Sequence, residues 1–108
     1  MGDLASKICV PCQGGTPRIG GGELEEFARQ VPDWEVVGGH HLRRRYEFAN
    51  FRESLALVNR MGELAEREGH HPDISFGWGY CVVTIYTHAI DGLSESDFIL
   101  AAKLDRLS

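Results

Sequence analysis

The sequence predicts an α+β domain of two layers, with three helices on one face of a four-stranded antiparallel sheet. Segments of helical and strand periodicity follow one another in the order α-β-β-α-β-β-α. Glycines separate the two strands of each pair, which is typical of hairpins and therefore of antiparallel pairing. With 108 residues, the chain has the usual size of one such domain.

The first helix is predicted over residues 23–30. Leu24, Phe27 and Ala28 fall on one helical face, and acidic residues crowd the first turn, where the helix dipole favours them. Pro32 ends this helix, because proline cannot continue the hydrogen-bond ladder.

The first two strands are predicted over residues 34–37 and 41–48, with Gly38 and Gly39 as the hairpin turn between them. Alternation along the second strand places two sets of side chains on opposite faces. One face carries Leu42, Arg44, Tyr46 and Phe48, and the other carries Arg43, Arg45 and Glu47.

The second helix is predicted to begin after Asn50, an N-cap with Glu53 three residues later, and to run to about Glu68. Gly69 can end it in a left-handed conformation. Its apolar stripe is wide enough to face the sheet on one side and a partner on the other. The stripe consists of Phe51, Leu55, Val58, Gly62 and Ala65, widened by Leu57, Met61 and Leu64.

The third strand is predicted from the alternation of Ile74, Phe76 and Trp78, and Gly79 ends it. Residues 80–88, YCVVTIYTH, form the strongest strand pattern in the chain. The last helix follows Ser94, which with Asp97 fits the capping pattern. A sheet of this size has two edges to protect, so an oligomer is expected.

The composition excludes several classes of function. A formal net charge of −5 offers no basic face for nucleic acid. No apolar run approaches the roughly 20 residues that span a bilayer. The N-terminus lacks the apolar stretch of a signal peptide, so we expect a cytosolic protein without membrane or nucleic-acid partners.

The N-terminal residues 1–22 are rich in glycine, proline and cysteine, and we interpret them as an irregular arm before a single domain of residues 23–108. Cys9 and Cys12 form a CxxC pair, which supplies only half of a tetrahedral zinc site. A loose tail is favoured over a metal or redox role for this pair.

The five histidines occupy three places in the sequence. His40 and His41 follow a hairpin turn and are interpreted as exposed turn residues. His70 and His71 follow a helix end, and His88 ends the strongest strand pattern. Elements that end at such turns often carry functional sites.

Metal binding, acid–base chemistry and a purely structural role are the alternatives for these histidines. Adjacent imidazoles bind one ion awkwardly, and no ligand motif is present, so metal is disfavoured. Imidazole has an unperturbed pKa of ~6.5 and can exchange protons near neutral pH. Glu66, one helical turn before His70, could orient that imidazole, and Trp78 could form a flat wall for a planar heterocycle.

The spacing of these residues resembles the signature of the pterin-4a-carbinolamine dehydratases. The matching pattern is Glu66-x3-His70-His71-Pro72-x5-Trp78-x9-His88-x8-Asp97. The similarity extends from about Leu24 to Leu107 and includes Trp34, the pair Glu47-Phe48 and the stretch GLSESD. The resemblance implies the same fold of helices on one side of a four-stranded antiparallel sheet.

The resemblance also implies an activity, the dehydration of 4a-hydroxytetrahydropterin to quinonoid dihydropterin, which regenerates the cofactor of aromatic amino-acid hydroxylases. It implies no metal and no organic cofactor. The residues expected to be catalytic are His70, His71 and His88, with His70 and His88 as the proton-transfer pair. The residues expected to contact the pterin are Glu66, Pro72, Trp78, Asp97 and Trp34.

Two positions depart from the family pattern. Gly69 stands where the family often has an acidic residue, and Ser96 stands where better-known animal members have arginine. Either difference would act on pterin affinity or substrate choice.

Two further functions stay open at this point. Animal relatives also act as a dimerisation partner and coactivator of a transcription factor, and a relative without catalysis could assist an assembly. The resemblance implies a homodimer or homotetramer, and the wide face of the second helix is the candidate contact surface.

Overall fold

The computed structural model describes residues 4–9 and 17–107 and confirms the predicted architecture. The helices are α1 (Gly21–Arg29), α2 (Phe51–Glu68) and α3 (Glu95–Asp105). The strands are β1 (Glu35–Val37), β2 (His41–Glu47), β3 (Asp73–Gly77) and β4 (Tyr80–Ile85). They form one antiparallel sheet in the order β1-β2-β4-β3, so the two predicted hairpins join through β2 and β4.

The core lies between this sheet and the three helices. Alternate side chains of the two central strands face the helices, as the period of two along β2 predicts. α3 is buried over most of its length and forms the centre of the helical layer. The fully buried side chains that meet here include Leu42, Val83, Ile85, Leu57, Met61, Phe98, Leu100 and Leu104.

Both ends of α2 are fixed as the sequence predicts. The Asn50 side chain accepts a hydrogen bond from the Glu53 backbone N–H at 2.9 Å. Gly69 ends the helix with φ of 66°, a left-handed conformation that glycine adopts without strain. The wide apolar stripe divides into two faces, because Leu57 and Met61 are buried whereas Phe51 is 43% exposed.

Trp78 lies outside β3, where the sequence placed it inside the strand. The register pairs Gly77 with Tyr80, so Trp78 and Gly79 form a two-residue turn. Gly79 has φ of 78°, which allows this tight reversal. Trp78 is left at the tip of the turn and is 70% exposed.

The N-terminal residues 4–9 pack on the domain, whereas the sequence suggested a loose tail around the cysteines. Leu4 begins a 3-10 turn and is buried in the core cluster. The Cys9 backbone N–H donates to Glu68 at 3.3 Å, and its thiol contacts the Ser96 carbonyl at 3.6 Å. The segment packs on the domain because Leu4 and Cys9 are buried as part of the core cluster. Cys12 lies outside the described residues.

We predict that both described thiols are unreactive in the folded protein. Burial, reinforced by the charge of Glu68, raises the pKa of Cys9 to about 12, and burial also raises the pKa of Cys81. Thiolate is the reactive species, so neither thiol should react at pH 8. A Cys12→Ser variant treated with a disulfide reagent should release no chromophore within minutes when native, and two equivalents in guanidinium. One rapid equivalent from the native variant would contradict the docking of residues 4–9.

Candidate active site

A cleft of about 440 Å³ lies at one end of the sheet and collects the histidines that the sequence singled out. β3 and β4 are antiparallel, so the start of β3 lies beside the end of β4. The left-handed turn at Gly69 directs the chain from α2 into this corner. The residues that line the cleft are Gly69, His70, His71, Pro72, Asp73, Thr87, His88 and Ala89.

His70 is hydrogen-bonded to the fully buried carboxylate of Asp97. Its Nε2 lies 2.6 Å from Oδ1 of Asp97, and the Asp97 side chain has no exposed surface. The other carboxylate oxygen accepts hydrogen bonds from the Thr87 hydroxyl at 2.7 Å and the Ser94 backbone N–H at 2.8 Å. Asp97 acts as acceptor on both sides, so Nε2 of His70 donates its proton to it. Nδ1 is then the nitrogen of His70 that can accept another proton.

Asp97 therefore has two structural roles at once. It sits at the third position of α3 and closes the capping box with Ser94, which fixes the start of the helix. The same carboxylate orients His70 across the interface between α3 and the end of α2. The sequence identified the capping pattern, but it did not identify the contact with His70.

Glu66 contacts His71, whereas its helical spacing predicted a contact with His70. Oε2 of Glu66 is hydrogen-bonded to Nε2 of His71, and both side chains are more than half exposed. After the left-handed turn at Gly69, the first imidazole points inward to α3 and the second lies over the exposed face of α2. Spacing alone could not reveal this reversal, because a helical spacing rule does not hold beyond the last helical residue.

His88 forms the opposite wall of the cleft. Its Nε2 lies 3.9 Å from Oδ2 of Asp73, and both side chains are more than half exposed. Asp73 and Thr87 were not predicted as site residues, although each directly adjoins a motif residue. The pairing of the start of β3 with the end of β4 was the signal that could have found them.

The two tryptophans are not among the residues that line the cleft. Trp34 is buried, and its Nε1–H donates to Asp105 at 2.8 Å. Asp105 lies eight residues after Asp97 on α3, which is a distance of about 12 Å along the helix. Trp78 follows the far end of β3, about 16 Å from its start. Within this chain, the structure thus separates both from the histidines.

The two departures from the family pattern have local structural explanations. The backbone at position 69 has a left-handed conformation. Glycine adopts this conformation without strain, whereas an acidic residue would adopt it at a cost. Ser96 is 5% exposed, and its carbonyl is covered by the Cys9 thiol. Because Ser96 has so little exposed surface, a longer side chain at position 96 would have to displace its neighbours.

Within residues 4–9 and 17–107, no group of three or more His, Cys, Asp or Glu side chains is placed to hold a metal ion. In the same part of the chain, no helix combines the length and apolar character needed to cross a membrane.

The fold and the cleft define the class of protein. A crystal structure of a transcriptional coactivator/pterin dehydratase from Brucella melitensis superposes with a TM-score of 0.77 at 26% identity, covering 84% of this chain and 98% of that one. A pterin dehydratase-like protein identified as a RuBisCO assembly factor in the alpha-carboxysome superposes with a TM-score of 0.60 at 28% identity, covering 69% and 88%.

Sequence comparison then defines the family. The model of the pterin 4 alpha carbinolamine dehydratases matches residues 18–107, and the chain belongs to this family. A protein of Rubrobacter xylanophilus, provisionally named a pterin-4-alpha-carbinolamine dehydratase, is 64% identical over 99% of this chain and 100% of its own length. A relative from Alkaliphilus metalliredigens with the same provisional name is 49% identical over 98% and 96%.

Proposed function

We propose that this chain dehydrates 4a-hydroxytetrahydropterin to quinonoid dihydropterin, with His70 and His88 as the proton-transfer pair. One observation carries the proposal. A single cleft contains three imidazoles, and one of them is oriented by the buried carboxylate of Asp97. Membership of the family supports the substrate class.

The reaction needs one proton donor and one proton acceptor. The C4a–O bond breaks as the N5 lone pair forms a double bond to C4a, and the hydroxyl leaves as water with a proton from the acid. The N5 proton then passes to the base. Because one proton is given and one is taken, the two groups together return to their starting charge. Histidines suit this exchange near neutral pH.

The hydrogen bonds suggest which histidine takes which role. His70 donates Nε2–H to Asp97, which leaves Nδ1 as a base and stabilises the imidazolium that forms. His88 lies across the cleft beside Asp73 and is more than half exposed. It can therefore take up a proton from solvent after each turnover and act as the acid. His71, fixed by Glu66, is assigned to binding and orienting the ring.

The cleft volume fits a small bicyclic substrate. A volume of about 440 Å³ lies within the usual range for small-molecule sites. We place the reaction in the recycling of a tetrahydrobiopterin-type cofactor in the cytoplasm, with residues 23–108 as the catalytic domain.

The exposed face of α2 supports a homodimer or homotetramer. Phe51 and Leu55 of α2 are 43% and 38% exposed, and the centroid of the Phe51 ring lies 5.6 Å from that of Phe76 on β3. A second copy of the chain would remove this apolar surface from water. In a coactivator or assembly role, the same face would instead bind a different protein. Light scattering on the pure protein separates the two possibilities, because self-association gives the mass of a dimer or tetramer and the alternative gives the mass of one chain.

The decisive experiment generates 4a-hydroxytetrahydropterin in situ and follows its decay. We expect decay to accelerate in proportion to the amount of protein and to yield quinonoid dihydropterin. Decay at the buffer rate, from a protein with a folded circular dichroism spectrum, would overturn the proposed activity and favour the binding role.

A further inference from the structure

A stack of rings continues from His88 away from the cleft. The rings of Tyr86 and His88 are stacked at a centroid distance of 4.2 Å and an angle of 16°. On the Tyr86 side, the ring of His40 follows at a centroid distance of 4.7 Å and is tilted by 41° to the Tyr86 ring. His40 and His41, interpreted from the sequence as exposed turn residues, are both only partly exposed and lie 3.0 Å apart at Nδ1.

The outer end of this stack is anchored to the loop that carries His88. Nε2 of His40 lies 2.8 Å from Oδ1 of Asp91. That hydrogen bond lowers the pKa of Asp91, and the charge of His40 acts in the same direction. Asp91 has φ of 48°, a left-handed conformation that a non-glycine residue adopts at a cost. The contact with His40 ties the Asp91 side chain to the turn between β1 and β2.

The backbone of the same loop is fixed independently at its base. Thr87 and Gly92 form a β-bridge, and the Arg18 side chain donates to the Ile90 carbonyl at 2.6 Å. These contacts determine where the Cα of His88 lies. They leave the rotation of its exposed side chain undetermined, and the Tyr86 ring restricts that rotation.

We propose that Tyr86, supported by His40 and Asp91, is a positioning residue that holds the His88 imidazole with Nε2 toward the cleft. The inference rests on the proposed function for its catalytic consequence, but the orientation of the ring can be tested without it. A side chain with 62% exposure samples several rotamers unless a neighbour selects one. Selecting one in advance lowers the entropic cost of the reaction.

The kinetic test compares Tyr86→Leu, Tyr86→Phe and the matched control Tyr80→Leu. Tyr80 begins β4 at the end away from the cleft, whereas Tyr86 directly follows the other end of that strand. We expect Tyr86→Leu to lower kcat about 10- to 100-fold with KM changed less than about threefold. Tyr86→Phe keeps the ring and should stay within about twofold of the wild type, as should Tyr80→Leu. Equal kcat in Tyr86→Leu and the wild type would overturn the proposal.

A spectroscopic test keeps the two proposals distinguishable. Protons over the face of a ring are shifted upfield, so the His88 ring protons should be upfield in the wild type and in Tyr86→Phe. They should move toward free-histidine values in Tyr86→Leu and part of the way in His40→Ala, which keeps Tyr86 in place. Unchanged His88 shifts in Tyr86→Leu would overturn the proposal even if dehydration is observed. The expected shifts in a protein without dehydratase activity would support the positioning and overturn only the proposed function.

Discussion

We expect that replacing Asp97 by asparagine will lower the rate of the proposed dehydration by about 100-fold or more, because the buried carboxylate accepts hydrogen bonds on both sides. One oxygen faces His70, and the other faces the Thr87 hydroxyl and the Ser94 N–H. An amide has only one acceptor oxygen. If its NH₂ faces His70, Nδ1 carries the ring proton and can no longer act as the base. If its NH₂ faces Ser94, two donors oppose each other and the capping box is lost.

The same substitution should lower the free energy of unfolding by about 1–3 kcal/mol, the usual cost of an unsatisfied buried polar group. Asp105→Asn is the matched control, because Asp105 lies on the same helix and accepts from Trp34 and Arg44. Urea denaturation and the decay assay should show reduced stability in both variants and reduced activity only in Asp97→Asn. Normal kcat in a stably folded Asp97→Asn would show that this carboxylate does not serve the reaction.

The three histidines should separate kinetically into two groups. His70→Ala and His88→Ala remove the proposed base and the proposed acid, so each should lower kcat by about 100-fold or more. His71→Ala removes a binding contact and should raise KM about tenfold with a small change in kcat. Its contact with Glu66 is exposed, so little stability should be lost.

Steady-state rates of the three variants at saturating and limiting pterin give this separation. The three substitutions are matched in type, and the circular dichroism melting curve of each controls for folding. A larger loss of kcat in His71→Ala than in His70→Ala or His88→Ala, with KM unchanged, would reverse the assigned roles.

Local signals predicted most of the fold. The Gly38–Gly39 turn and the Asn50 cap depend on residues within a few positions of each other, and both occur as predicted. Trp78 was misplaced because alternation cannot show where a strand gives way to a two-residue turn. Docking of Cys9 depends on Glu68 and Ser96, which are far away in sequence, so no local pattern could indicate it.

The site was predictable as a set of residues but not as a set of contacts. The resemblance gathered His70, His71 and His88, and the structure places all three around one cleft. The predicted contact of Glu66 with His70 was wrong. After the left-handed turn at Gly69, His71 and not His70 lies beside Glu66. The rings beyond His88 were missed, because His40 reaches them only through the pairing of β2 with β4.

The most direct test of the account is the decay of 4a-hydroxytetrahydropterin in the presence of the wild type and of a His70→Ala, His88→Ala double variant. Both proteins are first matched in circular dichroism spectrum and in mass by light scattering. We expect that the wild type accelerates decay and that the double variant leaves it at the buffer rate. Equal acceleration by both proteins would contradict the claim that these histidines perform the dehydration.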